Sequence, residues 1–157
     1  MKHLNYKNDD IDTIDEKILN TLSNNARISN VVLARLVGLS PPSVAERIKK
    51  LEDAGVIEGY TVKINPDALG LPIRAWLRIR PVPGQLQKVL KILQEQPEII
   101  ECDRVTGDDC FVARAQLQSV DHLEKLIDKV IPYSMTNTSI IQSSPVTRRL
   151  PPISSSK

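Results

Sequence analysis

The sequence predicts an α+β chain in two parts: an N-terminal winged helix-turn-helix over residues 10–64, followed by a C-terminal ferredoxin-like βαββαβ sandwich over residues 73–144. Three observations predict it. Apolar residues recur at helical spacing through three successive segments before Gly55. From Ile73 onward, strand-like stretches alternate with two amphipathic helical ones, in the order strand, helix, strand, strand, helix, strand. Between the two patterns, residues 65–72 form a Pro/Gly-containing linker, and residues 145–157 read as a polar tail.

The first helix opens at Asp12, a good cap, with Asp15 and Glu16 beside the positive end of the helix dipole. Ile11, Ile14, Ile18, Leu19 and Leu22 give its apolar face, and Ser23-Asn24-Asn25 stops it. A second helix opens near Ser29 or Asn30 and turns Val32, Leu33, Leu36 and Val37 inward. It ends at Gly38, the residue that tolerates a left-handed helix exit. Ser40 caps a third helix, and Pro41 suits its first turn, where a missing N–H costs nothing. Val44, Ile48 and Leu51 form its buried stripe; Ser43, Glu46, Arg47, Lys49 and Lys50 project away. Residues 56–64 read as a short hairpin or wing.

In the second half, Ala75, Leu77 and Ile79 alternate with Arg74, Trp76, Arg78 and Arg80, which predicts a strand with two distinct faces. A helix over 84–96 buries Leu86, Val89, Leu90 and Leu93. Strands over 99–106 and 110–118 flank a turn at Gly107-Asp108-Asp109. A helix over 120–131 and a strand over 136–143 complete the order. Folding 99–106 on 110–117 brings Cys102 near Arg114 rather than Cys110. With two helices on one sheet face, Trp76 on the other face calls for a second subunit as cover.

Composition narrows the function. No apolar run approaches the ~20 residues that span a bilayer, and the opening MKHLNYKNDD lacks the apolar core of a secretory signal. Cys102 and Cys110 make neither a disulfide framework nor a metal-ligand pattern, so no metal and no cofactor are expected. These features favour the cytoplasm and no membrane partner. Over residues 1–63, Arg and Lys total nine, and so do Asp and Glu. Residues 27–50, however, hold Arg27, Arg35, Arg47, Lys49 and Lys50 against Glu46 alone. Such local charge beside a helix-turn-helix suits double-stranded DNA. Ser43 and Arg47 are the expected base readers, since Arg binds guanine bidentately. Arg27, Arg35, Lys49, Lys50 and Lys63 are expected at phosphates, with Ser29 and Ser40 at helix starts beside them.

Several stretches resemble the Lrp/AsnC family of "feast/famine" regulators. They are Ile14-Asp15-Glu16-Lys17-Ile18-Leu19, Ala26-Arg27-Ile28-Ser29, the run from Leu33 to Ser40, the run from Val44 to Tyr60, and Val105-Thr106-Gly107. The similarity covers nearly the whole chain. The resemblance implies homodimers assembling into higher, often octameric, rings. It also implies a small effector, usually an amino acid, held between dimers near the loop after the second strand of the sandwich. Thr106, Gly107, Asp108, Asp109 and Cys110 occupy that loop, and Thr136 and Thr138 resemble pocket-lining positions of the last strand. Family members often carry Gly-x-x-Asp-Tyr there; Cys110 stands where the Asp is common, which leaves the effector's identity open.

Other readings stay beside this one. Cys110 suits a small buried apolar residue better than a redox sensor. Asp108-Asp109 suits a solvated turn, and Arg148-Arg149 a contact to DNA or to a neighbouring subunit. A DNA-binding architectural protein without amino-acid sensing is one alternative; a ferredoxin-like small-molecule enzyme is another. No nucleophile–base set, phosphate-cradling glycine loop or metal cluster supports an enzyme.

Overall fold

A computed structural model describes residues 11–153. The chain divides into two compact units. Among the described residues, one comprises 11–63 together with 146–153; the other is Ile64–Pro145.

In the first unit, helices α1 (Thr13–Asn24), α2 (Asn30–Val37) and α3 (Pro41–Asp53) surround a core of Ile18, Leu19, Leu33, Ala34, Val44 and Leu51. Each helix begins on a local signal. Asp12 caps α1 in a reciprocal box with Asp15, Ser29 caps α2, and Ser40 caps α3 with Pro41 in the first turn. Gly38 leaves α2 in the left-handed conformation at φ 73°. One expectation for α2 fails: Val32 and Leu36 are 46% and 62% exposed, whereas Leu33 and Ala34 are buried. An eight-residue helix presents one stripe to a three-helix core, and Leu33, Ala34 and Val37 occupy it.

The wing also differs from expectation. Residues 56–64 contain no assigned strand. The amides of Val56 and Ile57 both turn back to the Leu51 carbonyl. Beyond them the chain is exposed, with Tyr60, Val62 and Ile64 at 52%, 74% and 56%. The expected polar tail is in part apolar packing: Leu150 and Ile153 lie against the core of this first unit.

The second unit is a four-stranded antiparallel sheet in the order β2-β3-β1-β4, from β1 (Ile73–Pro81), β2 (Ile99–Arg104), β3 (Phe111–Leu117) and β4 (Ser134–Ile140). Helices α4 (Leu86–Glu95) and α5 (Val120–Val130) share one core with it. That core holds Ala75, Leu77, Ile79, Ala113, Ala115 and Leu117 from the sheet, and Val89, Leu93, Leu123, Leu126 and Val130 from the helices. Each buried Leu, Ile or Val contributes about 1.5–3 kcal/mol over its exposed state. The linker residues fold into this unit as a 3-10 turn at Asp67–Leu69, and the Gln116 amide nitrogen donates to the Leu71 carbonyl at 3.4 Å. Closure of the β2–β3 loop at Val105 and Cys110 sets Cys102 opposite Ala113, while Glu101, not Cys102, faces Arg114; a register irregularity follows further along, between Ile99 and Glu101. His122 lies 2.8 Å from Glu98. The Glu98 carboxyl is held below its usual pKa by its own amide and by His122, against the opposing effect of burial.

Candidate nucleic-acid interface and effector loop

The outer side of α3 follows from its phase. Burying Val44 and Leu51 leaves Pro42, Ala45, Glu46 and Lys49 as the exposed stripe. Ser43 and Arg47 lie a step around the helix, where with Asp12, Asp15, Glu46 and Lys50 they line a cleft against the start of α1. There the Arg47 guanidinium donates to Asp12 Oδ2 at 2.7 Å and to Asp15 Oδ1 at 2.8 Å. Hydrogen bonding to Asp15 and then to Asp12 raises the Arg47 pKa further. Partial burial opposes charge on Asp12. The Asp15 amide, the Arg47 guanidinium and the Ile14 amide outweigh it and lower that carboxyl's pKa. In this geometry Arg47 ties α3 to α1. The sequence showed Asp12 and Asp15 as cap and dipole partners; their second role needed the crossing of two helices distant in sequence.

The remaining predicted residues sit as follows. The Ser40 hydroxyl accepts from the Ser43 amide at 3.3 Å and is hydrogen-bonded to the Ser43 hydroxyl at 2.8 Å, so both belong to the α3 cap. Ser29 Oγ likewise accepts from the Val32 amide. Lys50 is exposed and pairs with Glu46 at 3.4 Å. Arg27, Arg35, Lys49 and Lys63 are exposed and make no ion pair among the described residues. Pro42 and Ala45 carry no polar group to mark them in the sequence; the helix phase alone places them on the outer stripe. Tyr60, after the wing turn, donates to Glu52 Oε1 at 2.8 Å, and desolvation followed by that bond raises its pKa to about 12.

In the second unit, Gly107 sits at φ 102° in the loop joining β2 to β3, a conformation glycine adopts freely. The loop closes through Val105 N–H to the Cys110 carbonyl and Cys110 N–H to the Ile79 carbonyl, both at 3.0 Å. Arg80 grips it from β1: Nε donates to the Asp108 carbonyl at 2.6 Å, and the guanidinium pairs with the Asp108 carboxylate at 3.3 Å. Among the described residues, the amides of Thr106, Gly107, Asp108 and Asp109 have no intramolecular acceptor. Successive free amides beside an arginine make a concavity suited to an anion. Cys110 is half-buried against the core, as a small apolar residue would be.

Thr136 and Thr138 are placed apart from that loop. They pair with Ile79 and Leu77 of β1 and so face the helices, while β1 separates β4 from β3. Two strand spacings are roughly 10 Å. The Thr138 hydroxyl is buried without a partner. A groove of about 480 Å³ between α4 and β2 adds apolar residues, among them Leu90, Ile99 and Phe111, with Arg104 and Cys102. Among the described residues no cluster of three or more His, Cys, Asp or Glu suits a metal, and no helix is long and apolar enough to cross a membrane.

A capped helix-turn-helix, joined in sequence to a separate sandwich whose β2–β3 loop presents free amides, defines a two-part DNA-binding regulator. Known proteins agree. Residues 11–58 match the winged helix-turn-helix DNA-binding model, and residues 74–151 match the Lrp/AsnC ligand binding domain. The HTH-type transcriptional regulator LrpC of Bacillus subtilis is 33% identical over 133 residues, 85% of this chain and 92% of its own length. Its solved structure has a TM-score of 0.83, covering 88% of this chain and 99% of LrpC. The leucine-responsive regulatory protein of Escherichia coli is 35% identical over 125 residues, 78% of this chain and 76% of its own. A feast or famine regulatory protein from M. tuberculosis, solved with L-methionine, is 29% identical with a TM-score of 0.78, covering 87% of this chain and 95% of that one. The chain belongs to the Lrp/AsnC family of DNA-binding transcriptional regulators. That family consists of regulators, not enzymes, so the enzyme reading of the sandwich falls away.

Proposed function

We propose that this regulator binds a free amino acid at the Thr106–Cys110 loop and reads DNA as a homodimer, or a higher ring built from dimers, whose occupancy the amino acid tunes. The observation that carries the reading is the row of free amides from Thr106 to Asp109 gripped by Arg80. A zwitterion needs donors for its carboxylate and an acceptor for its ammonium. The amides supply the first, and the half-buried Asp109 supplies the second. Thr136 and Thr138 stand two strands away, so in this reading a pocket using both sets draws one of them from another subunit. The methionine held by the M. tuberculosis relative makes methionine the first ligand to test.

Two features support assembly. The helix-free face gathers Arg74, Trp76, Arg78, Arg80, Val112, Arg114 and Gln116; the linker reaches Gln116, while Trp76, Arg78 and Arg80 stay exposed among the described residues. Arg114 lies 5.8 Å over the Trp76 ring, and the Arg74 and Arg114 Nε atoms are buried without acceptors. Tyr60, Val62 and Ile64 alternate along an extended segment with exposed apolar side chains, a form suited to pairing with a second copy. On DNA, Ser43, Ala45, Glu46 and Lys49 are proposed to meet base edges. Arg27, Arg35, Lys50 and Lys63, with the amides at the helix starts capped by Ser29 and Ser40, are proposed to meet phosphates.

The test is thermal melting against each of the twenty amino acids, with light scattering to record mass. A ligand that binds only the folded state raises the midpoint by mass action. The expected result is a shift with one or two amino acids, abolished by Asp109→Asn and accompanied by a change in mass. No shift with any of the twenty overturns amino-acid sensing and leaves the DNA-binding architectural reading in its place.

A further inference from the structure

The 146–153 segment follows the sandwich in sequence yet belongs to the DNA-reading unit. Leu150 and Ile153 are half-buried against that unit's core, with Leu150 beside Leu22, Val56 and Ile57. Arg148, Leu150 and Pro151 share a groove of about 460 Å³ with the end of α1 (Leu19, Leu22) and the 55–61 turn (Val56, Tyr60). Among the described residues, no hydrogen bond or ion pair from this segment adds to that packing. Two apolar anchors therefore hold it. Pro151-Pro152 between them restricts the backbone beforehand, so little freedom is lost on docking.

The anchors carry cargo. Arg148 and Arg149 immediately precede Leu150, and both are exposed. Residues 1–63 hold nine Arg and Lys and nine Asp and Glu, so the reader has no net formal charge of its own. Docking the segment adds two cations beside the turn that leads to Lys63. We propose that residues 148–153 form a docked basic arm: Leu150 and Ile153 seat it on the DNA-reading unit of the same chain, and Arg148 and Arg149 contact DNA phosphate. The arm is a second DNA-binding element, outside the helix-turn-helix, and it resets the reader's charge from neutral to positive. It rests on the DNA-binding assignment and not on amino-acid sensing.

The experiment compares three full-length proteins: wild type, Arg148→Gln/Arg149→Gln, and Leu150→Ser/Ile153→Ser. Each is titrated with a labelled duplex of mixed sequence over a range of salt, and amide exchange is followed without DNA. The charge variant should melt like wild type and bind roughly 3- to 10-fold more weakly at low salt, with a salt dependence shallower by about one to two in slope. The anchor variant should show the same loss. Its amides at the end of α1 and in the 55–61 turn should also exchange about tenfold faster. Unchanged affinity and slope in the charge variant overturn the phosphate contact. Unchanged exchange in the anchor variant overturns the docking, and that readout stands even if wild type binds no duplex. If the anchor variant fails to fold, the charge variant still decides the phosphate contact.

Discussion

Where α1 meets α3, one guanidinium is held by two carboxylates, and the consequence is both mechanical and pH-dependent. Arg47 is part-buried and Asp15 buried, which makes the pair stiffer than a surface ion pair but still screened by water. Arg47→Met leaves Asp15 without its partner and should cost about 1–3 kcal/mol, the range for hydrogen bonds to charged groups. The depressed Asp12 carboxyl sets the sign with pH. A group whose folded pKa lies below its unfolded value gives full stabilisation above the ordinary aspartate pKa of about 3.9. That stabilisation fades as pH falls through the folded value. Melting curves between neutral pH and strong acid should therefore steepen for wild type on the acid side and be flatter for Arg47→Met. The same variant should keep its preference among DNA sequences once corrected for unfolding; a changed preference would return Arg47 to base reading. Asp12 was legible as a cap because capping is local, spanning Asp12 to Asp15. Its partnership with Arg47 was not, because side chains 35 positions apart meet only after two helices cross.

At the scale of elements, what was written locally was readable. Ser29, Gly38, Ser40 and Pro41 mark helix ends through bonds that reach three or four residues, and each end falls where those residues put it. Ser40→Ala should cost about 1 kcal/mol. It should also weaken DNA binding, because the freed Ser43 hydroxyl and amide loosen the first turn of the helix proposed to face DNA. Paired denaturation and binding curves separate the two effects. If stability falls while affinity of the folded fraction holds, that first turn is not in contact with DNA. Strand existence was readable from the alternation of Ala75, Leu77 and Ile79, but register was not. The β2–β3 loop closes at Val105 and Cys110, one place short of the expected pairing, which moves Cys102 one place along β3, and nothing in the hydrophobic pattern records loop length. The strand expected within the wing is absent for a different reason. Residues 60–64 have the alternation of a strand, yet a strand needs a neighbour, and the described chain offers that segment none.

For the molecule as a whole, the open sheet face and the effector loop turn on the same question of what a second copy supplies. A face carrying Arg74, Arg78, Arg80 and Arg114 around Trp76 repels a like face unless Glu101 and Asp103, on the β2 side of the same face, meet some of those cations. A two-fold arrangement allows this, since each copy brings both signs. Trp76→Glu adds an acid at the centre of the patch and removes its one large aromatic, so the mass by light scattering should fall toward that of one chain. DNA affinity should fall with it, because a single reader meets only one half-site. A dimer that survives the substitution would place the interface elsewhere, with the 60–64 segment next in line. If assembly does link the two units, the coupling must run in both directions. Whatever factor the amino acid applies to DNA affinity, DNA must apply to amino-acid affinity. Typical couplings of about 1–3 kcal/mol correspond to changes of roughly 5- to 150-fold, well within calorimetric reach. Titrating the amino acid with and without saturating duplex should give affinities differing by that factor in wild type. In Trp76→Glu the two values should converge, because the free monomer has no assembly for either ligand to bias. Equal affinities in wild type would mean that loop and reader share a chain without sharing free energy.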